Sequence, residues 1–125
     1  MSVSPNKVIC ELFIDQWFKP YALKVRNHAN SNAVCGAMSS LILSTLNSIE
    51  QLIGIKQFFQ INSGDVAIRF NLIPADDEQE SRMVYVLLVN LVTAISSINE
   101  EYPDEISFYI RPRGAFEMKD PVIDR

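Results

Sequence analysis

The only histidine of the chain, His28, and one of its two cysteines, Cys35, stand seven positions apart in VRNHANSNAVCGAMSS, residues 25–40. A thiolate is a strong nucleophile, and an imidazole can take the thiol proton and later return it to a leaving amine. A histidine-dependent mechanism has no other histidine to use here. Spacing alone leaves three meanings open: a nucleophile with its base, half a metal site, or two unrelated residues near a turn. A structural zinc site takes four ligands, and two cysteines with one histidine fall short of that, so neither a metal nor another cofactor is expected.

The surroundings of Cys35 sharpen the first meaning. With Asn32 as the cap of a helix, Ala33, Val34 and Cys35 occupy its first three positions. A thiol there lies beside the amides of the first turn and the positive end of the helix dipole, a setting that suits a nucleophile and an oxyanion alike. Gly36 and Ala37 leave room around it, and Ser39, one turn on, shares its face and can hydrogen-bond to a thiolate or a substrate. His28 falls at the end of a strand, and the six residues ANSNAV can turn the chain back to the helix start. Asn27, Asn30 and Asn32 are all near enough to orient an imidazole, and spacing does not choose among them. Cys10 alternates with Val8 and Leu12 in a strand, so it is expected to be buried and inert.

The elements that must position these residues follow from periodicity. Residues 8–14 alternate and 21–25 are strand-like, which predicts a hairpin turned by QWFKP. Val34, Met38, Leu41, Ile42, Leu46, Ile49 and Leu52 follow helical spacing, and Gly54 is a stop. A second hairpin joins residues 55–61 to 66–73 through NSGD. Asp76 with Gln79 fits a cap, and the next helix runs to Asn99, ended by Tyr102-Pro103; the acidic run DDEQE is read as a solvated helix start. A last strand covers 106–110. The order ββαββαβ predicts an α+β, two-layer domain, two helices packed on a mixed sheet, over residues 1–110, with 111–125 a tail from which Phe116 and Met118 dock back. The second helix is apolar all round from Met83 to Val89, so it is either sandwiched in the core or shared with a second subunit.

Composition bounds the rest. At 125 residues with 48% hydrophobic content the chain suits one compact domain. Its net charge of −4, from 11 basic and 15 acidic residues, argues against a direct grip on nucleic acid and suits a partner with a basic segment. The longest apolar run, Met83 to Val89, is too short to predict a membrane span, MSVSPNK lacks the apolar core of a signal peptide, and two cysteines make no disulfide framework. A cytoplasmic protein is expected.

The residues HA, then VC followed by small residues and a serine four positions after the cysteine, resemble the bacterial ribosomal-processing cysteine protease family. LNSIEQLIG in the first helix and LLVNLVTAISSINEEYPDEISFYI towards the end are similar to it as well, so the likeness covers residues 7–110. It implies a homodimeric cysteine protease that removes the N-terminal extension of large-subunit ribosomal protein twenty-seven, cutting after an aromatic pair; the partner would be that precursor. His28 matches the family's catalytic histidine, Cys35 its cysteine and Ser39 the serine one turn later. Three features differ: Asn27 stands where the family usually has glycine, Asn32 where aspartate is common, and ANSNAV replaces a longer, glycine-containing loop. Asn32 keeps the capping, supporting role. The alternative reading is a catalytically inactive relative that binds peptide or ribosomal protein in the same groove.

Overall fold

The computed structural model describes residues 7–27, 32–54, 56–62, 65–70 and 78–116. Strand β1 (Val8–Ile14) carries the expected alternation, with Val8, Cys10 and Leu12 turned towards the helices. Strand β2 (Pro20–Arg26) pairs with it antiparallel. Asp15 builds the turn between them: its Oδ1 accepts the N–H groups of Trp17 at 2.8 Å and of Lys19 at 3.0 Å. At the tip Phe18 holds a φ of 62°, unusual for a bulky side chain, and Trp17 beside it stands in solvent.

Helix α1 (Asn32–Ile53) buries Val34, Met38, Ile42, Leu46 and Ile49 along one stripe. Gly54 ends it as expected, at a φ of 68° with its N–H donated to the Glu50 carbonyl at 2.8 Å. Strands β3 (Phe58–Asn62) and β4 (Asp65–Arg69) pair antiparallel. Strand β3 begins at Phe58 rather than Ile55. The reason is local: Gln57 is wholly buried and its N–H binds Glu50 Oε2 at 3.0 Å, so this stretch serves the end of α1 before the sheet. Ile55, the centre of the NSGD turn, residues 71–73 and the expected cap Asp76 lie outside the described residues.

Helix α2 (Glu78–Glu101) closes with the Tyr102 N–H donated to the Ile98 carbonyl at 2.8 Å, and Pro103 follows. Strand β5 (Ile106–Pro112) then lies parallel to β1. The strand order is β3-β4-β2-β1-β5, antiparallel except at β1–β5, giving the mixed sheet of an α+β fold. Cys10, Leu23, Ile68 and Ile106 from the sheet meet Met38, Ile49, Leu88 and Ile95 from the helices in one core.

Central strand β1 is buried on its other face as well. Glu11 there receives Arg26 from β2, Nη2 to Oε1 at 3.2 Å, and Arg111 from β5 on its second oxygen. The last strand runs past its expected end at Ile110 to Pro112, because Arg111 is held by this carboxylate. A 3-10 turn (Arg113–Ala115) brings Phe116 back over the sheet, its ring centroid 5.1 Å from that of Phe13 and 5.8 Å from that of Tyr21. Met118 and the rest of the expected tail lie outside the described residues.

Helix α2 is not sandwiched within the chain. Val84, Leu88, Leu91 and Ile95 face the core, while Met83, Tyr85, Val86 and Val89 are exposed. By length and composition alone its residues 79–101 would suit a membrane, but one apolar stripe is committed to the sheet.

Candidate active site

Cys35 lies in the first turn of α1, half-buried, packed against the edge of the core. Side chains on a helix lean towards its N-terminus, so the thiol is carried to the end of the domain where the helix amides converge. Among the described residues α1 begins at Asn32, which is helical and exposed, and the residues just before it lie outside the described residues. Cys35 falls within the first turn of the described helix. Gly36 leaves open space, with nothing within 4 Å of where a Cβ would stand, and Ser39 is exposed one turn on.

Cys10 has the opposite setting. It is wholly buried in β1, and burial, followed by the adjacent Glu11 carboxylate, pushes its thiol from 9.0 up to about 12. At neutral pH it stays protonated and out of reach, as the alternation in the sequence led one to expect.

Strand β2 delivers the chain to His28, which itself lies outside the described residues, as do Ala29, Asn30 and Ser31. Its immediate neighbour Asn27 is described, and it adopts a φ of 67°. Asparagine is among the few non-glycine residues that enter this left-handed region readily. The Asn27 N–H donates to Asp65 Oδ1 at 3.1 Å, across to the start of β4. Sequence reasoning passed over Asp65, which looked only like the end of a turn, because nothing in local spacing links residues 38 positions apart.

These placements meet the comparisons with known proteins. The family profile described as cysteine protease Prp matches residues 12–107, a stretch that contains both His28 and Cys35. The chain belongs to the cysteine protease Prp family. Solved structures share the Prp fold. A Streptococcus mutans protein superposes with a TM-score of 0.69 at 17% identity, over 86% of this chain and 96% of its own. The essential ribosomal processing protease Prp from S. aureus, in complex with a substrate peptide, gives 0.68 at 15% identity, over 83% of this chain and 99% of its own. The same S. aureus protease with a covalently linked product peptide gives 0.68 at 17% identity, over 83% and 99%. A comparison with curated protein sequences finds no match.

Within this Prp fold an open groove of about 710 Å³ lies away from the cysteine. Trp17, Lys19, Ile53, Arg82, Tyr85 and Leu88 line it, at the end of the domain where α1 finishes. Eighteen helical residues separate Ile53 from Cys35, or about 27 Å, so the groove lies far from the cysteine sulfur. Cys35 lies at the opposite end of α1 from this groove, and the exit of β2 lies beside the start of β4. Among the described residues no three His, Cys, Asp or Glu side chains stand close enough to hold a metal ion.

Proposed function

We propose that the protein is an endopeptidase that removes the N-terminal extension of large-subunit ribosomal protein twenty-seven, cutting after an aromatic pair. The observation that carries this reading is the position of Cys35 in the first turn of α1, inside the stretch that matches the protease family. The Cys35 sulfur attacks the scissile carbonyl carbon while His28 takes the thiol proton. First-turn amides receive the oxyanion. Collapse breaks the C–N bond, His28 protonates the leaving amine, and the extension remains as a thioester on Cys35. Water then attacks the thioester with His28 as base, and the thiol leaves as the product acid forms. The covalently linked product peptide of the S. aureus relative supports a covalent intermediate. Ser39, exposed one turn beyond Cys35, is available to hydrogen-bond the substrate.

A precursor peptide spanning the junction, followed by mass spectrometry, tests the reading. The wild type should cut it, and Cys35→Ala and His28→Ala should not, with Cys35→Ala still binding. Binding without cleavage by the wild type would leave a peptide-binding module on the same fold. Cleavage by Cys35→Ala would move the chemistry elsewhere.

The reading extends to assembly and place. The exposed apolar residues Met83, Tyr85, Val86 and Val89 of α2 form the face that a second copy would cover. Sedimentation at micromolar concentration should then give about twice 14.2 kDa, and a species of the single-chain mass would overturn the dimer. A ribosomal-protein precursor that must be matured before it enters working ribosomes would put the work in the cytoplasm.

A further inference from the structure

The net charge of −4 belongs to the whole chain, and the fold distributes it unevenly. Val8, Cys10, Leu12, Leu23 and Ile68 turn one face of the sheet to the helices. Alternation along the strands puts Lys24 and Arg26 of β2, Arg69 of β4 and Arg111 of β5 on the opposite, outer face, and Arg113 follows in the 3-10 turn. Among the described strand residues the outer face has only the carboxylates of Glu11 and Asp65 to set against them. Glu80, Glu100 and Glu101 belong to α2, in the other layer. Packed layers stand roughly 10 Å apart, more than the Debye length of about 8 Å in physiological salt, so a partner at the outer face meets its local cations rather than the chain average.

We infer that this outer face is a docking surface for a single strand of RNA. Its charge and its rings call for a single-stranded nucleic acid, and the choice of RNA rests on the proposed ribosomal-protein substrate, a protein that is assembled on RNA. The first observation is that the positive charge is not neutralised within the fold. Arg26 and Arg111 share the one carboxylate of Glu11, which leaves that trio cationic. Their side chains keep 46% and 41% of their surface in solvent. Lys24 lies over the Phe116 ring at 5.5 Å and Arg113 over the Tyr21 ring at 4.5 Å, contacts that leave the charge of each whole.

The second observation is the layout. The register sets Arg69, Ala22, Phe13 and Arg111 in one row across four strands, about 14 Å from end to end at the usual strand spacing. Lys24 stands in the next row and Arg26 in the one beyond, each step about 7 Å along the strand. Steps of this size match successive phosphates along an extended strand, and guanidinium groups fork onto phosphate oxygens. The third observation is the ring among the cations. Tyr109 stands on the outer face opposite Glu11, 44% exposed, with the Arg111 guanidinium 4.9 Å from its ring centre. A single strand offers unstacked bases to such a ring, whereas an acidic peptide offers only charge and a duplex hides its bases.

Fluorescence anisotropy of a short labelled RNA strand of mixed sequence, titrated with the full chain, tests the face. Half-saturation is expected at roughly 1–100 μM protein in low salt. Contacts to about three phosphates give a slope of about −2 in log affinity against log salt. Lys24→Gln and Arg113→Gln should each weaken binding about three- to tenfold and bring the slope nearer zero by about 0.7. Tyr109→Ala should weaken it about tenfold at an unchanged slope. Arg82→Gln, on α2, should stay within about twofold of wild type. Melting temperatures check that each variant folds, and if Lys24→Gln does not, the exposed Arg113 and Tyr109 still decide. Absence of binding up to about 100 μM, a flat salt dependence, or an equal loss in Arg82→Gln would overturn the docking face. A DNA strand of the same sequence, or a polyglutamate peptide, bound as tightly as the RNA would overturn RNA as its partner. Cleavage of the junction peptide without RNA binding would sink this inference alone, and RNA binding without cleavage would sink the protease reading alone.

Discussion

The two cysteines of this protein share a side chain and differ in everything that governs its chemistry. Cys10 sits in the middle strand, wholly buried, its thiol pushed up to about 12 by burial and by the neighbouring Glu11. Cys35 sits half-buried in the first turn of a helix, with open space at Gly36 beside it. Nothing intrinsic to cysteine distinguishes them. Reactivity comes from access and from the local field, and the fold assigns both by placing one residue in a strand and the other at a helix start.

The comparison breaks most visibly in turnover. Cys35→Ala should lower peptide cleavage by more than about a thousandfold, as removal of a nucleophile does, while Cys10→Ala leaves kcat within about twofold. A cleavage assay on both variants that showed equal loss would erase the distinction. Labelling is the next largest effect. In the folded protein at pH 7, limiting iodoacetamide should alkylate Cys35 on the order of a hundred times faster than Cys10, which becomes available only when β1 opens. Peptide mapping by mass spectrometry reads the ratio, and denaturant should bring it close to one.

Stability sharpens the contrast from the other side. Cys10→Ser puts a hydroxyl where no water reaches and should cost about 1–3 kcal/mol in denaturant unfolding, whereas Cys35→Ser should cost well under about 1 kcal/mol. The smallest effect near neutral pH is a linkage term. Below pH 9.0 the Cys10 thiol is protonated in both states, so its stabilising contribution is fully present. Between 9.0 and about 12 the unfolded chain releases the proton and the folded one keeps it, so stability falls, at most by about 1.4 kcal/mol per pH unit. Cys10→Ala should flatten that slope in unfolding curves taken across the window, and an unchanged slope would mean that another group titrates there.

Much of this contrast was legible before any coordinates. The two-residue alternation through Val8, Cys10 and Leu12 marked Cys10 as buried, and small residues before a helical pattern marked Cys35 as a helix start. Gly54 as the stop of α1 was read from its type alone and took the conformation that type allows. The cap of α1 is not legible from periodicity, since the end of a helix depends on which neighbouring group takes the first amides, and the residues just before Asn32 lie outside the described residues. The late start of β3 had a similar cause, a buried Gln57 bound to the end of α1.

By itself the sequence determined the types of the elements, their order and the apolar face of each, because those follow from spacing within a dozen residues and from the burial of apolar surface. The tertiary structure alone decided which strands became neighbours. Strand β5 returns from the far end of the chain to lie parallel against β1, and with it Arg111 reaches Glu11 and Phe116 reaches Phe13. Strand β4 pairs with β2, and only that register brings Asp65 to the amide before His28. Such contacts join residues 38 and 100 positions apart. No local pattern encodes them, because each strand presents the same unpaired backbone groups to any partner, and the choice falls to the packing of the whole sheet under its helices.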